Sequence, residues 1–333
     1  MAVPFTLSVV VPAFNEQDVL AEFQQRTIAT LAQIGCNYEI VYVNDGSSDG
    51  SLQIMQRLRE QDRHVTVVDL SRNFGKEIAL TAGLDKAVGD AVVVIDADLQ
   101  DPPELIVEFV RAWHAGHDIV YARRTARDGE SWLKKATAKA FYRVASIVSR
   151  FEIPEDTGDF RLMSRRAVDA LLQLRERHRF MKGLFAWIGF PSVAVYYRRD
   201  ARHAGASKWS YRALWNLALE GLTSFTTAPL RLATYVGMAI AFAGFAFAAV
   251  IVYRTIVFGE AVRGYPSLMV AVLFLGGVQL VAIGMLGEYL GRVFNEVKQR
   301  PLYLLKGFSP SDSYLARTGG GVQPRHESID SQP

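Results

Sequence analysis

The chain has 333 residues, half of them hydrophobic, a net charge of +3 and a single cysteine, Cys36. This is room for one large domain with appendages, and one cysteine excludes both an intrachain disulfide and a cysteine-built metal centre. The near-neutral total hides a division, because residues 1–122 carry 8 Lys/Arg and 18 Asp/Glu whereas residues 123–212 carry 20 and 9. An acidic part can hold a cation, and a basic part can hold phosphates or lie on an anionic membrane.

Phe5 to Phe14 is apolar. It has no basic leader and runs into a polar motif, so it reads as a buried strand and not as a secretion signal. Leu7 to Val11 is β-branched and predicts a strand, ended by Pro12 and Asn15. Helical spacing follows over Glu16 to Ile34. Strands are predicted at Tyr38–Val43, Val65–Leu70, Ala91–Ile95 and Asp118–Tyr121, with helices at Ser51–Glu60, Lys76–Val88 and Pro103–His114. Strand and helix alternating at short intervals predict an α/β domain with a parallel-rich, doubly wound sheet. Such sheets bind ligands beyond the C-terminal ends of their strands. Polar clusters sit at those ends: Pro12–Glu16, Asn44–Asp49, Ser71–Lys76 and Asp96–Glu104.

Asp96-Ala97-Asp98-Leu99-Gln100 follows a five-residue apolar run. If the chain stays extended there, residues two apart share a face, so Asp96, Asp98 and Gln100 form one row of oxygen donors. Hard oxygen donors suit Mg²⁺ or Mn²⁺ shared with substrate phosphates. No Gly-rich loop ending in Gly-Lys-Ser/Thr and no dinucleotide glycine fingerprint is present.

Ser131 to Arg150 reads as a basic amphipathic helix, and Ser210 to Phe225 as a second amphipathic helix leading into an apolar run. Leu232–Tyr253 and Tyr265–Gly287 are uncharged runs, each long enough to cross a hydrocarbon core of ~30 Å. Lys and Arg flank the pair on its outer sides, which predicts cytoplasmic flanks and an external linker. The expected division is a catalytic domain over 1–206, a juxtamembrane helix over 207–230, a transmembrane hairpin over 231–292 and a cytoplasmic tail over 293–333, polar and disordered after Tyr314. Expected placement is therefore a multi-pass protein of a bacterial inner membrane with both termini cytoplasmic. Because the basic segment is tied to two spans, a nucleic-acid partner is disfavoured. Small residues on the spans permit a homo-oligomer.

Val10-Val11-Pro12-Ala13-Phe14-Asn15-Glu16, Val43-Asn44-Asp45-Gly46-Ser47-Ser48-Asp49-Gly50-Ser51, Asp96-Ala97-Asp98-Leu99-Gln100-Asp101-Pro102-Pro103-Glu104 and Gly158-Asp159-Phe160-Arg161-Leu162-Met163-Ser164-Arg165 occur in that order. Together with the two spans, they resemble the polyprenyl-phosphate branch of family 2 glycosyltransferases, relatives of dolichol-phosphate mannose synthase. The resemblance covers about residues 7 to 300. It implies a GT-A-like sheet domain and inverting, metal-dependent transfer from a nucleotide-sugar, with UDP preferred, to polyprenyl phosphate. By the same resemblance Pro12, Phe14, Glu16, Asp45, Lys76 and Asp96 hold the donor, and Asp98 and Gln100 bind Mg²⁺ or Mn²⁺ with Asp96 close by. Asp159 is the expected base, with Asp156 its rival. Arg123, Arg199, Arg202, Ser207 and Lys208 are expected at the acceptor phosphate, while Arg161 and Arg165 are divided between packing and phosphate binding. Asp49 and Asn73 are open between a turn role and a site role. A processive polysaccharide synthase of the same fold is a rival reading, weakened by the absence of a Gln-X-X-Arg-Trp motif. A non-catalytic scaffold is another, weakened by intact Asp96, Asp98 and Asp159.

Overall fold

The computed structural model describes residues 5–125, 157–177, 179–197, 228–258 and 264–319. They fall into two compact units. One holds residues 5–125, 157–177, 179–197 and 301–319, and the other holds 228–258 and 264–300.

The first unit is built on eight strands. They are β1 (Thr6–Ala13), β2 (Asn37–Asn44), β3 (Val65–Leu70), β4 (Ala91–Val94), β5 (Ile119–Arg124), β6 (Thr157–Ser164), β7 (Ser192–Tyr197) and β8 (Leu305–Ser309). Their order in the sheet is β7-β5-β6-β4-β1-β2-β3-β8. β4, β1, β2 and β3 run parallel, and β6 enters antiparallel between β4 and β5. Every residue of β1 and β4 is buried. That is why these strands read as continuous β-branched runs and not as alternating ones.

Helices α1 (Leu20–Ile34), α2 (Ser51–Gln61), α3 (Lys76–Lys86) and α4 (Ile106–His114) connect the parallel strands, and α5 (Arg165–Leu172) and α6 (Met181–Trp187) follow β6. α3 lies so close to β1 that a Cβ on Gly83 would stand 2.3 Å from Val10 Cγ1. The C-terminal ends of β1 to β4 and the start of antiparallel β6 make one rim.

Several expected boundaries shift. α1 begins at Leu20, not Glu16, because the backbone N–H groups of Asn15, Glu16 and Gln17 bond to Ser47, Ser51 and Asp49 side chains. Pro103–Leu105 is a 3₁₀ turn that leads into α4. The tail differs most, since β8 adds antiparallel to β3 and a further helix, α9, spans Asp312–Thr318. Arg59 donates twice to the Pro310 carbonyl at 3.0 and 2.6 Å, and Tyr303 donates to Asp85 at 2.9 Å. Buried Glu39 accepts from Ser8 at 2.7 Å, the Val88 N–H at 3.1 Å, Ser311 at 3.1 Å and Thr66 at 3.3 Å. Burial pushes its pKa up, so these donors meet a group that would otherwise be costly to bury. Residues 301–319 are thus part of the sheet domain.

The second unit is a helix pair, α7 (Ala228–Phe258) and α8 (Tyr265–Val297). Both helices are long and apolar enough to cross a membrane. At 1.5 Å per residue each exceeds a ~30 Å hydrocarbon core. Their apolar side chains face outward: Phe242 and Phe245 are 77% and 79% exposed. That is untenable in water over so long a surface. Both helices run past the uncharged sequences that predicted them, so the expected boundaries at 231 and 292 fall inside helices.

Candidate active site

Three rim loops are knitted before any catalytic side chain is considered. Asn15 sits in the left-handed region at φ 57°, a conformation asparagine tolerates. Its side chain accepts from the Ser48 N–H at 2.8 Å. Asp49 accepts from the Ser51 N–H at 3.0 Å and the Gln17 N–H at 3.3 Å, so it serves the turn. Asp45 is buried, which raises its pKa, and its two oxygens accept from the Phe74 and Gly75 N–H groups at 2.7 and 2.9 Å. The carboxylate expected to hold the nucleoside therefore also braces the loop before α3. Gly46, at φ 67°, lets that loop approach, since a Cβ there would stand 2.4 Å from Asn73 N. Pro12 is buried, Glu16 is half-buried and Phe14 is 40% exposed on the same rim.

Lys76 opens α3 and joins two residues far from it in sequence. Its Nζ lies 2.7 Å from Asp96 Oδ2 and 2.6 Å from Asp159 Oδ2. Burial alone would lower the Lys76 pKa, but the two carboxylates reverse this and raise it. Burial would likewise raise Asp159, yet Lys76, then Lys182 and Arg161, hold it at about 2. Asp96 moves the other way: burial, Asp159 and Asp98 raise it against the pull of Lys76. Of the two carboxylates sharing one ammonium, Asp159 is the one whose pKa is lowered. Its Oδ1 is buried and has no hydrogen-bond partner among the described residues.

The expected row of Asp96, Asp98 and Gln100 is not extended. β4 ends at Val94 and the chain turns over residues 97–100. Leu99 takes φ 57° with its side chain buried, and Asp98 Oδ1 accepts from the Gln100 N–H at 3.1 Å. An Asx turn replaces the alternation, and Gln100 is buried. The loop is tied down by Asp101, which accepts from the Tyr197 hydroxyl; Arg124 Nε donates to that hydroxyl at 3.4 Å. Burial, then the Asp101 charge, pushes Tyr197 up to about 12, so the hydroxyl stays a donor.

A divalent ion is implied by the motif, and the donor chemistry fits one. Asp96 and Asp98 offer hard carboxylate oxygens, while among the described residues no three His, Cys, Asp or Glu side chains gather to hold a metal alone. An ion there would need oxygens from outside the protein, as Mg²⁺ commonly takes from phosphates.

Arg161 is buried, and its Nε and Nη2 donate to the Asp159 and Gly158 carbonyls at 3.2 and 3.0 Å. Its guanidinium stacks 3.6 Å from the Phe185 ring centroid. It therefore fixes the backbone under Asp159, and the phosphate role divided with packing falls away. Arg165 stands at the far end of β6 from Asp159 and donates to the Ala87 carbonyl at 3.0 Å. Arg123 lies on β5 with its guanidinium 5.8 Å from the Tyr196 ring centroid. Arg199, Arg202, Ser207, Lys208, Asp156 and the helices expected over 131–150 and 210–225 lie outside the described residues.

Sequence reasoning missed Glu77 and Lys182. Glu77 accepts from the Met181 N–H, and burial, then the Asp159 charge, raises it to about 7. Lys182 lies in the field of Asp159. Neither belongs to a motif, so only the fold discloses them.

Comparison with known proteins gives consistent findings. Residues 8–172 match glycosyl transferase family 2, and residues 228–293 match the GtrB C-terminal hairpin. An uncharacterized glycosyltransferase of Synechocystis sp. is 52% identical over 299 residues, covering 90% of this chain and 94% of that protein. The SfII prophage-derived bactoprenol glucosyl transferase of Shigella flexneri is 48% identical over 301 residues, covering 90% and 97%. A prophage bactoprenol glucosyl transferase homolog of Escherichia coli K12 is 47% identical over 301 residues, covering 90% and 98%.

Proposed function

The chain belongs to glycosyl transferase family 2, and on that premise we propose that it moves a sugar from a nucleotide-sugar, UDP-linked by preference, onto polyprenyl phosphate with inversion. The observation that carries this reading is the Lys76 bridge, which brings the carboxylates of two separate motifs, Asp96 and Asp159, to one ammonium. The GT-A-like sheet and the helix pair support it, as do relatives named bactoprenol glucosyl transferases.

Donor binding falls to the rim. Exposed Phe14 offers a face for the base, Asp45 retains acceptor lone pairs beyond its two amide bonds, and Lys76 is placed to meet negative charge on the diphosphate. Asp96 and Asp98 would hold Mg²⁺ or Mn²⁺, which when bound stabilises the charge developing on the leaving diphosphate. The Asp159 side chain is only 12% exposed, which limits the water around it.

The acceptor phosphate has a second pKa of ~6, so one proton can remain on it. Asp159, held at about 2, is too weak a base to take that proton beforehand. It accepts a hydrogen bond from the P–OH and turns a charged phosphate oxygen toward the anomeric carbon. As the new C–O bond forms and the bond to the diphosphate breaks, the phosphate becomes a diester, a much stronger acid. The proton then passes to Asp159. Positioning thus comes first and proton removal last.

The tail supports the membrane arrangement. Residues 5–125, 157–177 and 179–197 fold with residues 301–319 into one sheet domain, so the chain between 197 and 301 crosses a membrane an even number of times. Two spans satisfy that, with the domain and tail both placed in the cytoplasm by the flanking Lys and Arg. The test is to supply purified protein with undecaprenyl phosphate, Mg²⁺ or Mn²⁺ and a panel of labelled nucleotide-sugars. Metal-dependent label in the lipid phase is expected. Label appearing only in free sugar or in water-soluble polymer would overturn the reading.

A further inference from the structure

Lys182 stands in the first turn of α6. Two contacts pin that helix beside the catalytic strand. Glu77 on α3 accepts from the Met181 N–H, and the Phe185 ring lies under the Arg161 guanidinium that holds the Gly158 and Asp159 carbonyls. Met181, Leu184 and Phe185 are buried on the packed side, and Lys182 between them is half-buried. After burial, the charge of Asp159 acts most strongly on Lys182.

The two lysines near Asp159 differ in one respect. Lys76 makes ion pairs to Asp96 and Asp159. The Lys182 ammonium makes no hydrogen bond or ion pair among the described residues. Asp159 shows the matching feature, since its Oδ2 meets Lys76 while its buried Oδ1 has no donor among the described residues. A half-buried ammonium and a buried carboxylate oxygen without partners are both costly to keep. One ligand chemistry satisfies both at once, a phosphate monoester that offers P–O⁻ to the lysine and P–OH to the carboxylate.

We propose that Lys182 and Asp159 Oδ1 form the subsite for the acceptor's phosphate, with Lys182 as its cationic wall. This rests on the reading of Asp159 as the residue that meets the acceptor. The lysine offsets the repulsion between Asp159 and an anionic phosphate, which otherwise opposes their approach. The subsite recognises the headgroup phosphate and not the lipid tail.

The experiment compares wild type, Lys182→Met and Lys182→Arg in detergent. KM is measured for undecaprenyl phosphate, for a short-chain prenyl phosphate and for the nucleotide-sugar. Lys182→Met is expected to raise KM for both prenyl phosphates about tenfold or more and to leave donor KM within about twofold. Lys182→Arg should recover much of the loss. Inorganic phosphate should compete with the acceptor in wild type and much less in Lys182→Met. A donor KM that rises as much as the acceptor KM, an unchanged acceptor KM, or an effect confined to the long-chain lipid would each overturn the proposal. Melting temperatures of all three proteins separate these results from misfolding; if Lys182→Met fails to fold, Lys182→Gln replaces it. If wild type transfers to no prenyl phosphate, the functional reading fails instead, and direct calorimetric binding of inorganic phosphate to wild type and variant still decides the subsite.

Discussion

Replacing Lys76 by methionine keeps the aliphatic stem and removes the ammonium shared by Asp96 and Asp159. At an effective dielectric of ~20, charges about 4 Å apart attract by roughly 4 kcal/mol before desolvation is counted. The Lys76 side chain is 44% exposed, so screening leaves only a fraction of that. The carboxylate gives a second estimate. Asp159 is 12% exposed and is held at about 2, below the ordinary value of ~3.9, which corresponds to about 2–3 kcal/mol. A folded-state pKa that is depressed contributes stability that is present above the unfolded pKa. That contribution is lost as pH falls toward about 2.

In Lys76→Met, burial opposes only Lys182 and Arg161, so the Asp159 pKa rises and much of this contribution disappears. The variant should melt several degrees below wild type at pH 7, given roughly 2–4 °C per kcal/mol for a domain of this size. The gap should narrow as pH is lowered through about 4 toward 3. Melting curves of both proteins across that range provide the assay. A gap of the same size at every pH would mean that the lysine stem's packing, and not its charge, explains the loss, and the bridge would be refuted.

Three other outcomes are expected. Gly46→Ala places a methyl 2.4 Å from Asn73 N and 2.5 Å from the Arg72 carbonyl carbon at φ 67°; it should cost about 2 kcal/mol or more, read by melting, and raise donor KM by displacing the loop that Asp45 braces. Ser311→Ala leaves buried Glu39 one donor short and removes the side-chain acceptor for the Tyr314 N–H, at about 1–3 kcal/mol, and should make residues 301–319 cleavable by protease at concentrations that spare wild type. Tyr197→Phe strips Asp101 of its hydroxyl donor; the 95–102 loop should loosen, so the metal concentration for half-maximal transfer rises while acceptor KM stays near wild type.

The sheet was legible because its central strands are buried on both faces, as Val9, Val10 and Val11 or Val92, Val93 and Val94 show. The rim was legible because polar motifs end those strands. Motif resemblance also singled out Asp96, Asp159 and Lys76, but not the bridge between them, since nothing local brings α3 and β6 together. The turn at 97–100 escaped because an apolar run does not announce where extended geometry stops, and Leu99 adopts a left-handed conformation that leucine rarely takes. β8 escaped because Leu-Lys-Gly-Phe-Ser carries no alternation strong enough to predict a strand. Its place depends on Thr66, Glu39 and Arg59, more than two hundred residues upstream. Arg161 was divided between packing and phosphate binding because charge alone does not separate the two; its burial among two carbonyls and a phenyl ring is a property of the packed fold.

The most direct measurement follows labelled sugar from nucleotide to lipid in three proteins with matched melting temperatures: wild type, Asp98→Asn and Asp159→Asn. Transfer to undecaprenyl phosphate at the Asp96, Asp98 and Asp159 site predicts metal-dependent lipid labelling by wild type. It also predicts a loss of at least about a hundredfold in each variant, with the product's anomeric configuration opposite to the donor's. Lipid labelling that survives both substitutions, or that retains the donor's configuration, would contradict it.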